Sequence, residues 1–482
     1  MSVDLNKVIN EPITEEQYDE DTTRKTLFFF KDKGIELEDL LKWQKEYPII
    51  FPWNKQYNTL RLGFNRIGQF FPKFIMMVKK RRDAQWALKF AKQNNIEFSI
   101  KSGGHDSLNH SLSDGIIIDM SNRDYIKTRY DGTIKLGAGV KLGFLIEELN
   151  KQKLFISSGS CHNVGVSGLV QGGGIGFLRR KFGLTIDFLL EVSIILANGE
   201  IVKANKNINI DLFWALRGSG GGSFGIITDL IFKTEKIDKL VVFDLWVPFK
   251  YFEQILTIWP EWNFNANNNL TSYLQLYSPN NKEHKEAILI AGQFLGRKSE
   301  LKVLLKVFED YVSFSSIHYK NLLQLECECL ISVPPFFYKY LNLLCDEYFN
   351  VETIRRLKKI MKLSPSNASI EIDGMGGKVA ETGATETAFY WRNSKFWLLL
   401  RAASDSQADI PNMNKWVCST YQYLLDEGVK EHSYCNFKNP DLDKEHYPYV
   451  YWGKNAKQLS KIKQKYDPDN VFHFAQSIPL KY

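Results

Sequence analysis

Apolar and polar positions follow two rhythms along this 482-residue chain. Residues 1–60 are polar and mixed, and read as an N-terminal arm of short helices. From Phe64 the pattern sharpens. Asp83–Asn94 (DAQWALKFAKQN) sets apolar residues at helical spacing behind an aspartate, which predicts a helix with Asp83 as its N-cap. Glu97–Ile100, Gly115–Met120 and Thr133–Gly137 predict strands, and Leu142–Gln152 predicts a helix. Phe188–Ala204 reads as a hairpin turning at Asn198-Gly199, the strongest two-residue hairpin signal. Asp211–Arg217 predicts a short helix entering a glycine-rich turn, and Gly225–Lys233 a strand leaving it.

Between about Val241 and Leu425 the texture changes. Strands such as Thr271–Tyr277, Ala287–Leu295 and Phe396–Ala402 alternate with helices such as Lys298–Tyr311 and Met413–Leu425, and glycine is sparse. Glycine clusters instead between residues 103 and 225. The shift predicts a second domain, 236–429, inserted after a glycine-rich first domain, 1–235. The tail, 430–482, has a helix at Ala456–Lys465 and is too short to stand alone, so it should dock back on the first domain.

Composition narrows the class without naming it. Hydrophobic residues make up 44% and charged residues 24%, which is ordinary for a globular protein. A net charge of +7 on this length is mild, and no basic run interleaved with aromatics points to nucleic acid. Met1–Glu16 has no basic segment followed by an apolar core, and no stretch of about 18 apolar residues occurs, so a cytoplasmic protein without membrane or protein partner is expected. Of the six cysteines, Cys327 and Cys329 are two apart, but there is no zinc-type pairing or disulfide framework, so buried thiols and no metal site are expected.

The chemistry sits in three glycine clusters: Gly103-Gly104, Gly172-Gly173-Gly174 with Gly176, and Gly218 through Gly225. Glycine lets backbone N–H groups surround an anion with no Cβ in the way, so three clusters in one domain point to a pyrophosphate threaded between loops. Gly218-x-Gly220-x-x-x-x-Gly225 has nearly the spacing of a dinucleotide fingerprint, but a helix precedes it and a strand follows, the reverse of that motif. No P-loop is present.

Three motifs then run in order: Lys101-Ser-Gly-Gly-His105, Gly159-Ser-Cys161-x-x-Val164-Gly-Val166-x-Gly168-x-x-x-Gly172-Gly-Gly, and Asp211-Leu-Phe-Trp-Ala-Leu-Arg-Gly-x-Gly-Gly-Gly-x-Phe-Gly225. Trp452-Gly-x-Asn455 and Tyr466-Asp-Pro-Asp-Asn-Val-Phe472-x-x-x-Gln476 close the series. From about Tyr57 to Pro479 the chain resembles the berberine bridge enzyme-like FAD-linked oxidases of the vanillyl-alcohol oxidase superfamily. The resemblance implies an α+β fold: a two-lobed FAD-binding domain of the PCMH type with an inserted substrate domain, an antiparallel sheet covered by helices on one side.

It also implies site residues. His105 would bond the 8α carbon of the flavin and Cys161 its C6, tethering FAD twice. Ser102, Gly103, Gly104, Gly165, Gly168, Gly172, Gly173 and Gly225 would line pyrophosphate and flavin, with Ile227 near the adenine. Asn455 and Gln476 would close over the ring. Val164 is small at a position that in related oxidases borders the path of oxygen, which tilts the reading towards an oxidase using O2 and releasing H2O2. The family's Tyr-x-Asn-Tyr segment reads Tyr434-Cys-Asn436-Phe437 here, so the second tyrosine, which could have accepted a proton, is lost. Tyr434 or Tyr451 could supply the phenol. Alternatively Asp373 or Glu371, two apart on one strand face, could act as the base. The substrate expected is a small molecule bearing an alcohol or hemiacetal, a sugar, oligosaccharide or secondary metabolite. A dehydrogenase using another acceptor, or an FAD-binding protein that has lost alcohol oxidation, are the alternatives.

Overall fold

The computed structural model describes residues 15–281, 283–284, 287–321, 324 and 336–482; Cys327 and Cys329 lie outside this set. The N-terminal arm opens on a longer helix than expected, Glu15–Asp32, which sends Phe30 into a cluster with Phe51, Phe74 and Phe90. A four-stranded sheet follows, in which Phe74–Met77, Ile116–Asp119 and Phe98–Lys101 run parallel and Ile49–Ile50 pairs antiparallel at the edge. Ile116, Ile117 and Ile118 are all buried, because a central strand of a parallel sheet is covered on both faces.

The helix expected at Asp83 starts earlier, at Arg81, and runs to Gln93. Asp83 is therefore its third residue and not the N-cap. Its carboxylate accepts the N–H groups of Lys79 (3.1 Å) and Lys80 (2.8 Å), capping the helix from inside its first turn. The hairpin forms as Leu189–Ile195 and Ile201–Asn205, with Gly199 at φ +85°, where a side chain would be strained. It belongs to a five-stranded antiparallel sheet with Ile226–Phe232 at its centre.

The strands between Leu240 and Ser404 form one antiparallel sheet of seven, in the order 314–320, 240–248, 287–294, 270–277, 368–374, 396–404, 337–345. Helices Phe252–Asn265, Val351–Lys362 and Ile410–Asp426 pack on one face around Trp259, Leu357 and Trp416, as expected of the inserted sheet. The other face stays open towards the glycine-rich part.

Two arginines on the short helix Arg179–Phe182 join the halves. Arg179 donates to the carbonyls of Gly176 (3.0 Å) and Gly374 (2.8 Å) and pairs with Asp373. Arg180 donates to the carbonyls of Met375 (2.8 Å) and Ala266 (2.8 Å). The tail is held equally firmly. Lys463, fully buried in helix Ala456–Tyr466, donates to Asp467 (2.6 Å) and to the carbonyls of Ser223 and Phe472 (2.7 Å each). Asp467 in turn accepts the N–H groups of Val471 and Phe472. Among the described residues no helix is long and apolar enough to cross a membrane.

Lys463→Met should lower stability by about 3–5 kcal/mol, because it leaves the buried Asp467 carboxylate without its cation. The measurement is the midpoint of denaturant unfolding with the slope checked for change.

Candidate active site

A cavity of about 780 Å³ lies between the open face of the seven-stranded sheet and the glycine-rich loops, within the range of roughly 300–1,000 Å³ usual for small-molecule sites. On one side its wall holds Ser102, Gly103, Gly104 and His105, then Cys161, Val164, Gly165 and Gly168, then Gly225 and Ile227. On the sheet side it holds Trp246, Tyr277, Tyr340, Glu371, Asp373 and Arg401, with Tyr434 between the two. Residues far apart in the chain thus face one space.

The glycines explain how the walls come so close. A Cβ on Gly103 would fall 2.3 Å from the backbone nitrogen of Gly165, and one on Gly165 would fall 2.3 Å from Ser102 Oγ. The His105 loop and the Cys161 loop therefore touch backbone to backbone. Ser102 donates to the carbonyl of Ala138 (2.7 Å), which holds the first loop in place. Gly168, by contrast, faces open space, with nothing within 4 Å of where a Cβ would be. A cleft floored by bare backbone at both loops and at Gly221, Gly222 and Gly225 suits a pyrophosphate-bearing planar cofactor. The residues present fit FAD.

His105 stacks on Phe64 (centroids 3.8 Å apart), which itself stacks on Tyr338 (4.5 Å). Burial, with a smaller push from Lys141, lowers the His105 imidazole to about 3, so it is neutral. Burial and then the negative charge of Glu371 raise the Cys161 thiol to about 11. Glu371 is raised to about 8 by burial and by its neighbour Asp373. Asp373 Oδ1 is taken by Arg179, while its buried Oδ2 has no donor in reach unless Glu371 carries a proton. Glu371 therefore holds its proton beside the unpaired Asp373 Oδ2.

Tyr434 accepts at its phenol oxygen from Gly174 N (2.9 Å) and Asn436 Nδ2 (2.6 Å). Both contacts leave its own proton free for the cavity. Burial drives this phenol well above its ordinary value. Tyr451 lies elsewhere: its hydroxyl accepts from Asn439 N (2.8 Å) and donates to Gln476 Oε1 (2.8 Å), outside the cavity wall.

Four more expected residues also fall outside that wall. Gly172 packs against the tail segment and Gly173 against the inserted segment, since a Cβ there would meet Asn436 Oδ1 at 2.0 Å and Phe389 at 2.8 Å respectively. Asn455 spends its amide on the carbonyls of Ala384 (2.8 Å) and Thr387 (3.1 Å). Gln476 donates to the carbonyl of Asn439 (2.6 Å). The tail closes the cavity instead with Val471–Ala475. Tyr340, Arg401 and Trp246 are among the wall residues that the sequence does not single out. They stand on alternate positions of sheet strands; the alternation is visible in the sequence, but which face meets the cavity is not. Trp391-Arg392 lies apart: Arg392 pairs through both Nη atoms with Asp187 (2.8 and 2.9 Å), and Trp391 stacks on His432 (3.5 Å).

Comparison with known proteins agrees with this geometry. The family described as "FAD binding domain" matches residues 72–205, and that described as "Berberine and berberine like" matches 433–479. An FAD-linked oxidoreductase of Bacillus subtilis, YgaK, is 31% identical over 434 residues, covering 88% of this chain and 94% of that protein. A chitooligosaccharide oxidase of Gibberella zeae is 25% identical over 448 residues, covering 88% and 89%. The structure of BBE-like 1 from Physcomitrella patens superposes with a TM-score of 0.83 at 26% identity, covering 90% of this chain and 97% of that one. With a cavity fitted to FAD, both family matches and a relative aligned over nearly its whole length, the chain belongs to the berberine bridge enzyme-like FAD-linked oxidoreductases.

Proposed function

We propose that the protein is an oxidase acting on a CH–OH group of a sugar, oligosaccharide or secondary metabolite, with FAD tethered at His105 and Cys161. The observation that carries this reading is that both tether residues and a carboxyl pair, Glu371 and Asp373, line one cavity. Bound FAD would supply the electron sink for the hydride lost from carbon, with O2 as the final oxidant and H2O2 as its product. Residues 1–235 with 430–482 would hold the cofactor and 236–429 the substrate. Ser102, Gly103, Gly104, Gly165, Gly168 and Gly225 would receive the pyrophosphate and flavin, with Ile227 by the adenine.

The tether residues have suitable chemistry. A neutral imidazole keeps a lone pair for bond formation, and burial holds His105 in that form. The Cys161 thiol must lose its proton before it can react, because the thiolate is the nucleophile. The protonated Cys161 therefore needs a base when its bond forms, and His105 does not.

The substrate hydroxyl must also give up a proton. A catalytic base works best when its pKa lies near the working pH. Burial carries the Tyr434 phenol far above that range, while the Glu371 carboxyl, beside Asp373, sits within it. The pair is therefore the proton acceptor, and Tyr434 donates a hydrogen bond that orients the substrate oxygen. Val164 in the cavity wall leaves room for oxygen, and the Gibberella zeae relative, an oxidase by name, points the same way.

Purified protein should be yellow, and the colour should stay in the pellet on acid precipitation. His105→Ala and Cys161→Ala should each retain covalent colour, and the double variant should release it all to the supernatant.

Below pH 8 Glu371 holds its proton and cannot take another from substrate, so kcat/KM should rise with pH to a plateau above about 8. Glu371→Gln should abolish that limb and lower kcat/KM by roughly 10²–10⁴-fold. Tyr434→Phe should keep the limb and cost about 10- to 100-fold, the loss of one hydrogen bond to a buried polar group. The opposite pattern would make Tyr434 the base. Oxygen consumption compared with dye reduction separates oxidase from dehydrogenase.

A further inference from the structure

Strand register sets one row of side chains across the cavity face. Tyr340 stands opposite Arg401, Arg401 opposite Ser369, and Ser369 opposite Tyr277. Arg401 is the cation of this row, since an arginine side chain keeps its charge in proteins. Its hydrogen bond is from Nε to Ser369 Oγ at 3.3 Å, and among the described residues no carboxylate lies within ion-pair distance of it. Other interior arginines differ. Arg179 and Arg392 are answered by Asp373 and Asp187, and Arg180 by three backbone carbonyls.

The nearby acid does not neutralise Arg401. Glu371 is the diagonal neighbour of Arg401 across the pairing of their strands, and its carboxyl holds its proton beside Asp373. The hydroxyls of Tyr277 and Tyr340, on either side of Arg401, make no hydrogen bond with the described residues, so both are available as donors. A fixed guanidinium flanked by two free phenols, with no carboxylate among the described residues in ion-pair contact with it, matches a planar anion with two acceptor oxygens.

We propose that the substrate carries a carboxylate held by Arg401, Tyr277 and Tyr340, and is thus a sugar acid and not a neutral sugar. This rests on the reading of the cavity as the site of CH–OH oxidation and gives that site its substrate class. Diagonal neighbours on paired strands stand about 7–8 Å apart. The carboxylate at Arg401 and the reacting hydroxyl at Glu371–Asp373 are then separated by the span of one sugar-acid residue. No bond changes at Arg401, whose part is to bind and orient.

The test uses the FAD-loaded protein, its flavin reduced under anaerobic conditions so that binding is measured without turnover. Calorimetric titration compares an aldobiouronic acid with its methyl ester, which removes the charge and adds one methyl group, and with its primary amide, which removes the charge at nearly the same shape; the amide should behave as the ester does. The acid should bind at least about 30-fold more tightly than the ester, the scale expected for one desolvated charge pair. Arg401→Met should bring the ratio of the two dissociation constants to about one, and Arg401→Lys should restore part of it. Thermal melting and flavin absorbance verify that each variant is folded and loaded. Equal binding of acid and ester by the parent protein, or a preference that survives Arg401→Met, would overturn the proposal. Because no turnover is involved, a protein that prefers the acid yet oxidises no alcohol would count against the oxidase reading alone. Oxidation of neutral sugars with no preference for the acid would count against the carboxylate alone.

Discussion

Arg179 is the joint on which the site depends. Its guanidinium reaches a carbonyl on the glycine-rich segment that follows Cys161, a carbonyl at the end of a sheet strand, and the Asp373 carboxylate beside it. One side chain therefore fixes the carboxyl pair relative to the loop that bears Cys161. Buried ion pairs of this kind bring little net stability, since desolvation offsets the attraction, but they fix geometry when every lone pair is used. Here Asp373 Oδ2 is left over, and that remaining acceptor is what Glu371 satisfies with its proton. The joint and the carboxyl pair are one arrangement.

The same economy governs the glycines. At Gly103 and Gly165 the two loops approach until no Cβ fits, so residue type is dictated by contact between backbones. At Gly172 and Gly173 the constraint comes from elsewhere, from the Tyr434–Phe437 segment and Phe389 pressing in from the tail and the inserted domain. A run of glycines in sequence thus serves two different surfaces. One faces the cofactor cleft, and the other lets Tyr434 come close enough to receive the Gly174 N–H.

Local rhythm makes much of this fold legible in the amino-acid sequence. The hairpin, the short helix before Gly218 and the strand after it all appear within a residue or two of their expected limits, because local apolar spacing and turn residues decide them. The placing of His105 and Cys161 in the cavity wall is legible too, since their motifs are contiguous strings. What cannot be read there depends on pairing between distant strands. Arg401 meets Tyr340 and Ser369 only because 396–404 lies between 337–345 and 368–374, an order no local pattern encodes. Asn455, Gln476 and Tyr451 mark the right region, but their polar groups are consumed by backbone carbonyls and by one another. Asp83 fails as an N-cap for a smaller reason: from the third helical position its carboxylate reaches back to the N–H groups of Lys79 and Lys80, so the cap lies three residues sooner, at Lys80.

The buried Lys463 ties the carbonyl of Ser223, in the last glycine cluster, to that of Phe472, and residues 471–475 form the final strip of cavity wall. A chain emerging from the ribosome has made His105, Cys161 and the whole seven-stranded sheet before that strip exists. Until then the cleft lacks a side and the Ser223 carbonyl lacks its donor. A chain cut short of this strip would present His105 and Cys161 in a cleft missing one wall.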